Sequence, residues 1–131
     1  MRILIAEDDV ASARYMEGLM ARLGECLVTG DGEQAVAAFR AALDEGRPFH
    51  LICLDIMMPV MNGQEALREI RNMEQARGIQ SNDEVKVVMT TALGDVRSVM
   101  GAYKEGATAY VTKPILPEVM FETIRNLGIS T

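Results

Sequence analysis

The sequence predicts an α/β protein built on an open, doubly wound parallel sheet of five strands with five helices. Short apolar runs alternate along the chain with longer stretches of helical periodicity, a pattern typical of parallel strands joined by crossover helices. Five strand–helix units are too few to close an eight-stranded barrel, so an open sheet is favoured. The predicted strands are Ile3 to Ala6, Cys26 to Thr29, His50 to Leu54, Val85 to Thr90 and Thr108 to Thr112.

Each predicted strand is followed by apolar residues at helical spacing, which indicates five amphipathic helices. Asp9 precedes the first helix, and Asn62-Gly63 precedes the third. Pro117 lies near the start of the last helix, where proline is tolerated. The polar stretch 74–84 predicts an extended third helix followed by a loop. The five apolar stripes are Met16, Leu19, Met20 and Leu23; Ala35, Ala38, Phe39, Ala42 and Leu43; Ala66, Leu67, Ile70 and Met73; Val96, Val99, Met100 and Tyr103; and Met120, Ile124 and Leu127.

Composition limits the function classes. A chain of 131 residues fits one core, so we expect residues 1–131 to form a single domain. The net charge of −6 argues against direct binding of nucleic acid, which needs clustered basic residues. Without an apolar run of membrane-spanning length or a signal peptide, we expect a cytoplasmic protein with no membrane insertion. Cys26 and Cys53 are assigned no chemistry, and Cys53 is expected to be buried.

Polar side chains follow four of the five predicted strands, at the point where each strand ends. In an open α/β sheet, ligands bind outside the carboxyl ends of the strands, and strands 1 and 3 flank the point where the winding reverses. We therefore expect these side chains to converge on one crevice. They are Glu7, Asp8 and Asp9 after strand 1, Asp55 after strand 3, Thr91 after strand 4 and Lys113 after strand 5.

Carboxylates packed together stay ionised at neutral pH only when a cation compensates their charge. Oxygen ligands favour Mg²⁺, for which Mn²⁺ could substitute, over the zinc that thiolates and imidazoles would bind. Such a site suits phosphoryl transfer, with Asp55 as nucleophile and Asp8 as metal ligand. Thr91 would supply a hydroxyl donor and Lys113 a cation. Taken singly, each residue is better explained as a cap, a turn or an exposed loop residue, but their joint placement favours the site.

Four segments in this order resemble the receiver domain of two-component response regulators, and together they span nearly the whole chain. The chemotaxis receiver is the best-known single-domain member of that family. The resemblance implies a flavodoxin-like fold with strand order 2-1-3-4-5, for which the chemotaxis receiver is a standard example. The matching segments are Ile3 to Asp9, Leu54 to Gly63, Met89 to Ala92 and Gly106 to Pro114.

The resemblance also implies a role for each residue of the acidic site. Asp8 would bind the metal directly and Glu7 mainly through water, whereas Asp9 would cap the first helix. Asp55 would accept the phosphoryl group. The backbone carbonyl of Met57 would complete the metal site.

Further implied roles concern regulation. Thr91 would move toward the phosphoryl group and Tyr110 would turn inward, changing the surface formed by the fourth helix, the fifth strand and the last helix. The Lys113–Pro114 bond would be cis, aiming the lysine inward. The side chains of Met57 and Leu93 fall where the family varies residues that tune dephosphorylation.

The resemblance implies a histidine kinase or a histidine phosphotransfer protein as phosphodonor, in a chemotaxis-like pathway or a phosphorelay. Since no output domain follows the last helix, we expect a stand-alone response regulator that signals through a downstream target protein. The first helix near Ser12 and Tyr15, together with Ile115-Leu116-Pro117, is the candidate docking face for the donor.

Three alternatives remain open at this point. A pseudo-receiver that acts as an unphosphorylated scaffold is the most serious one, although such proteins normally lack part of the acid, threonine and lysine set. An enzyme of the haloacid-dehalogenase kind is a weak alternative, because it would need a second acid two positions after Asp55, where Met57 stands. A flavin-binding module would need a loop rich in Ser, Thr and Gly after strand 1 rather than acidic residues.

Overall fold

A computed structural model of the chain describes residues 1–92 and 106–131. The predicted fourth helix, with Val96, Val99, Met100 and Tyr103, lies outside the described residues, as does Leu93. A 3₁₀ turn at Ser81–Asp83 precedes β4. The described elements are β1 (Arg2–Ala6), α1 (Val10–Met20), β2 (Glu25–Thr29), α2 (Gly32–Asp44), β3 (Leu51–Asp55), α3 (Gly63–Ala76), β4 (Lys86–Ala92), β5 (Ala109–Lys113) and α4 (Pro117–Asn126).

The five strands form one parallel sheet in the order β2-β1-β3-β4-β5, which confirms the expected topology. The predicted strand ends were one or two residues too early for β3, β4 and β5. Asp55 pairs with Thr90, and Lys113 pairs with Ala92, so both site residues still belong to the ladder. Asp55, Thr91 and Lys113 therefore stand on regular strand backbone, whereas Glu7 and Asp8 lie just after β1.

The two faces of the sheet carry separate apolar cores, which explains why the central strands are continuously apolar. On one face, α2 and α3 cover a cluster that includes Phe39, Leu54 and Ile70. On the other face, α1 and α4 pack over a cluster that includes Ile5 and Met20. The sheet is thus fixed from both sides.

Cys53 lies in the second of these cores and is 2% exposed, as the sequence predicted. Burial raises the pKa of the Cys53 thiol to about 12, so this group stays protonated and inert at neutral pH. No helix within residues 1–92 and 106–131 is both long enough and apolar enough to cross a membrane.

Helix starts coincide with the predicted boundary signals. The Asp9 carboxylate accepts the Ser12 N–H at 2.9 Å and caps α1. Asn62 and Glu65 form a reciprocal capping box at the start of α3. Pro117 occupies the first position of α4. These residues mark the points at which the chain passes from the carboxyl edge of the sheet into a helix.

A partly buried ion pair between Arg71 and Glu74 anchors the end of α3 to the segment that leads into β4. Glu74, 2% exposed, accepts one hydrogen bond from Arg71 Nη1 and another from Val85 N, both at 2.7 Å. Arg71 also donates to the carbonyls of Val85 at 2.9 Å and Gly106 at 3.0 Å. The sequence predicted an extended third helix followed by a loop. In the structure α3 ends at Ala76, and this network holds the polar stretch after it against Val85, just before β4.

We predict that Glu74→Ala lowers the free energy of unfolding by about 3 kcal/mol, because the Val85 N–H and the Arg71 guanidinium lose a buried partner. Urea denaturation measures this loss. Glu69→Ala, an exposed position of the same helix, is the matched control and should change stability by no more than about 0.5 kcal/mol. A Glu74→Ala variant as stable as this control would contradict the assignment.

Candidate functional site

Three carboxylates meet at the carboxyl edge of the sheet. Glu7 and Asp8 follow β1, and Asp55 ends β3, the neighbouring strand. One oxygen from each carboxylate lies within 4.8 Å of the other two. Glu7 and Asp55 are buried, at 8% and 5% exposure, whereas Asp8 is exposed. The cluster therefore has a closed floor and one side open to solvent.

Lys113 supplies a positive charge to this cluster. Its Nζ lies 2.7 Å from Glu7 Oε1 and 3.3 Å from Asp55 Oδ2. Because β4 lies between β3 and β5, the lysine side chain has to reach across a strand to make these contacts. The Lys113–Pro114 peptide bond is cis, as expected. One lysine thus serves two buried carboxylates.

The electrostatic balance of the site is incomplete. Burial and the side-chain contact with Asp55 raise the pKa of Glu7, and the hydrogen bond from Lys113 opposes this without cancelling it. Burial acts to lower the pKa of Lys113, but the hydrogen bond to Glu7 and the charge of Asp55 outweigh it, so this pKa is raised. The lysine therefore stays charged, while the carboxylates still lack part of their compensation.

The donor set fits a hard divalent cation. The cluster presents carboxylate oxygens with neither thiolate nor imidazole, which suits Mg²⁺ rather than zinc. Since Asp8 is open to solvent, an ion held here could keep several of its waters, as Mg²⁺ prefers. No feature of the cluster selects Mn²⁺, which stays a prediction.

The β3–α3 loop, residues 56–62, borders the cluster. Met57 N donates to Asp55 Oδ1 at 3.3 Å, and the role of the Met57 carbonyl as a metal ligand stays a prediction. Ile56 N donates to Thr90 O at 3.0 Å, and Gly63 N donates to Ile56 O at 2.9 Å. A side chain at Gly63 would overlap the Asp55 carbonyl group, which explains the glycine at this position. The loop is therefore held at both of its ends.

Thr91 is placed differently from the carboxylates. It is fully buried, and its Oγ1 donates to the Ala92 carbonyl at 3.4 Å, a weak local bond within β4. Tyr110, on the neighbouring strand β5, is 37% exposed. The structure thus brings Glu7, Asp8, Asp55 and Lys113 together, with the Thr91 hydroxyl engaged along its own strand.

A cavity of about 560 Å³ opens beside the cluster, between α1 and the segment after β5. Its polar lining residues include Glu7, Lys113 and Ser12, and its apolar lining residues include Met16 and Ile115. This cavity adjoins the face predicted to dock a donor.

The outer wall of the cavity is held by a hydrogen bond. Tyr15 Oη donates to the Ile115 carbonyl at 2.7 Å, which ties α1 to the segment after β5. Tyr15 and Leu116 are exposed at 44% and 52%. The bond orders a rim of exposed apolar residues next to the carboxylates.

Sequence reasoning missed two contributors to the site. Thr90 pairs with Asp55 and accepts from Ile56, although its strand position gave no distinguishing signal. Gly32 N donates to Met61 O at 3.0 Å and so contacts the loop beside Asp55. The Asp31-Gly32 dipeptide is a turn signal that could have drawn attention to this contact.

Comparison with known proteins identifies the class. Residues 3–125 match the family model for the response regulator receiver domain. The fold agrees with a yeast receiver, that of Ssk1 from Saccharomyces cerevisiae solved with the histidine phosphotransfer signaling protein Ypd1. That structure gives a TM-score of 0.82 and 26% identity over 98% of this chain and 88% of the other. The chain belongs to the receiver-domain family of two-component response regulators.

Curated relatives share the domain but extend beyond it. The chain is 34% identical over 125 residues to the DNA-binding response regulator MtrA of Mycolicibacterium paratuberculosis, covering 95% of this chain and 49% of that protein. It is 31% identical over 127 residues to the probable transcriptional regulator ycf27 of Cyanophora paradoxa, covering 96% and 47%. The chain thus spans about half the length of these relatives.

We predict a pH dependence from Glu7 in the protein without added metal. Its pKa in the folded protein lies above the ordinary value of 4.5. At pH values between 4.5 and the folded pKa, the native state therefore holds a proton that the unfolded chain has released. The stabilising contribution of this group is therefore complete below pH 4.5 and is lost as the pH rises through the folded pKa. Carbon NMR titration of the Glu7 carboxyl group measures the midpoint.

Asp55→Asn should lower this midpoint, because it removes one contact and one charge that raise the pKa of Glu7. Unfolding experiments across the same pH range test the linkage independently. A midpoint at or below 4.5 in the wild-type protein would contradict the electrostatic picture.

Proposed function

We propose that Asp55 accepts a phosphoryl group from a histidine kinase or a histidine phosphotransfer protein, and that the chain signals through the resulting change of surface. The observation that carries this proposal is the position of the Asp55 carboxylate, which contacts Lys113 at 3.3 Å and lies within 4.8 Å of the other two carboxylates of the cluster. Membership of the receiver family supports the same assignment.

In the proposed reaction an Asp55 carboxylate oxygen attacks the phosphorus of a phosphohistidine. A new oxygen–phosphorus bond forms, and the phosphorus–nitrogen bond breaks as its electron pair returns to the imidazole. Glu7, Asp8, Asp55 and the Met57 carbonyl would hold Mg²⁺, which supplies positive charge against the phosphoryl oxygens when bound. Lys113 would shift part of its interaction from Glu7 to the new phosphoryl group.

The same charges would support both the phosphorylation of Asp55 and the hydrolysis of the resulting phosphoaspartate. The domain would therefore assist two reactions of its own aspartate and act on no separate substrate. Met57, 65% exposed, presents an apolar side chain beside the acceptor. That side chain cannot hydrogen-bond an attacking water, which favours slow dephosphorylation.

Signal output rests on a change at Thr91 and Tyr110. The weak Thr91 bond to the Ala92 carbonyl is easily exchanged for a stronger one to an anionic phosphoryl oxygen. Rotation of Thr91 would alter the packing around Tyr110 on β5, and the inward position of this ring would become more populated. A downstream protein that binds only one of the two surfaces would then read the phosphorylation state.

Docking of the donor is proposed on the rim formed by Ser12, Tyr15 and residues 115–117. Exposed apolar side chains there stand next to the cavity, which has room for an apolar side chain of the donor. A donor bound at this rim would face Lys113, which lines the same cavity and contacts Asp55. The recognition surface and the acceptor are therefore adjacent.

Residues 1–131 are proposed to form one receiver domain, located in the cytoplasm and acting without direct contact to nucleic acid. The stand-alone arrangement stays a prediction, since the relatives described above are about twice as long as the matched region. Within the described residues, the cluster keeps the acids and the lysine that a pseudo-receiver scaffold would normally lack in part. This favours a phosphorylated receiver.

We predict that acetyl phosphate with Mg²⁺ adds one phosphoryl group to the protein, because nucleophile and metal ligands are all supplied by the chain. Intact-mass spectrometry measures the adduct. Asp55→Asn should abolish it, whereas Asp9→Asn should retain it, since asparagine also caps a helix and Asp9 lies outside the three-carboxylate cluster. No wild-type adduct, or an equal adduct on Asp55→Asn, would refute the proposal.

A second prediction concerns the switch. In protein labelled with fluorotyrosine, beryllofluoride with Mg²⁺ should make the Tyr110 ring less accessible to solvent, because this complex imitates the phosphoryl group on aspartate. Fluorine NMR in light and heavy water reports that accessibility, with Tyr110→Phe assigning the signal. Thr91→Ala should bind the complex and lose the Tyr110 response. A full response in Thr91→Ala would contradict the proposed coupling.

A further inference from the structure

Gly32, the first residue of α2, contacts the loop that borders the carboxylate cluster. Its N–H donates to the Met61 carbonyl at 3.0 Å. A Cβ at this position would overlap the Met61 carbonyl oxygen and would lie 2.9 Å from the carbonyl carbon of Met61 and 3.1 Å from Asn62 O. Any other residue would therefore have to push the loop and α2 apart.

The start of α2 is the less yielding of the two parts. The Asp31 carboxylate caps the helix by accepting Gln34 N at 2.8 Å, and the Gln34 side chain accepts Gly30 N at 3.0 Å. The helix then buries Ala35, Val36 and Phe39 in the core. Displacing this helix would disturb the apolar cluster beneath it, so the exposed turn of the loop around Val60 would move instead.

The loop contains a strained turn at Val60, which follows the buried residue Met58 and is spanned by a hydrogen bond from Met61 N to Pro59 O at 2.7 Å. Val60 adopts a φ of 67°, a left-handed conformation that β-branched residues rarely take, and its side chain is 75% exposed. Because the Val60 side chain is mostly exposed, packing of this side chain does not hold the strained turn in place. The hydrogen bond between Gly32 and Met61, one residue further on, supplies a restraint there.

We infer that Gly32 is a positioning residue for the acceptor site, acting through residues 56–62. The path runs from Gly32 N to Met61 O and along the loop to Met57, whose N–H contacts Asp55 Oδ1 at 3.3 Å. Gly32 thereby sets how close the loop backbone lies to the carboxylates. This inference rests on the proposed function, because it assigns a role in the same magnesium-dependent site.

Mg²⁺ titration by calorimetry tests the inference with two glycine variants. Gly32→Ala should weaken Mg²⁺ binding about 10-fold, as expected when a supporting contact of a metal site is lost. Gly18→Ala is the matched control, since a Cβ at that exposed position of α1 meets nothing within 4 Å. It should leave the Mg²⁺ affinity unchanged and raise the melting temperature.

A Gly32→Ala variant that melts at a lower temperature but binds Mg²⁺ as tightly as wild type would overturn the inference, because its effect would then be only structural. A wild-type protein that binds no Mg²⁺ would overturn the proposed function as well. The two failures are therefore distinguishable.

Amide hydrogen exchange in the wild-type protein provides a second measurement that does not depend on the variant folding. If loop position and metal binding are coupled, saturating Mg²⁺ must slow exchange of the Gly32 amide, although this group lies outside the carboxylate cluster. The Gly18 amide should exchange at the same rate with and without Mg²⁺. An unchanged Gly32 rate would overturn the inference.

Discussion

The mutual repulsion of three carboxylates at one sheet edge is the constraint on which the rest of this structure depends. Two of them, Glu7 and Asp55, are buried, and a single lysine contacts both. Buried like charges are tolerated only when compensating charge lies close by. Lys113 supplies part of that charge, and the unmet remainder would favour binding of the cation and of the phosphoryl group that the proposed function requires.

Holding such a cluster together requires a rigid support. The parallel register carries Asp55 and Lys113 to the last positions of β3 and β5, where their backbones are still paired. Apolar cores on both faces prevent the strands from separating to relieve the repulsion. The favourable free energy of core packing thus outweighs the repulsion among Glu7, Asp8 and Asp55 and keeps these carboxylates close together.

Most of the fold and much of the site could be predicted from the sequence. Short apolar runs located the strands and period-3.6 patterns located the helices of the described residues, and the strand order followed from the family resemblance. The direction of the Thr91 hydroxyl could not be predicted, because it depends on local competition among acceptors within β4. The Arg71–Glu74 network and the Gly32 contact were also missed, since both join segments that are distant in sequence and carry no periodic signal.

Binding of Mg²⁺ to wild type and Asp8→Asn, followed by calorimetry at neutral pH, tests the central claim most directly. Asp8 is the exposed member of the cluster, so its substitution removes a carboxylate charge without placing a new polar group in the core. The account predicts saturable binding of one Mg²⁺ to wild type and a loss of at least about 10-fold in affinity for the variant. Equal affinities, or no binding to wild type, would contradict it.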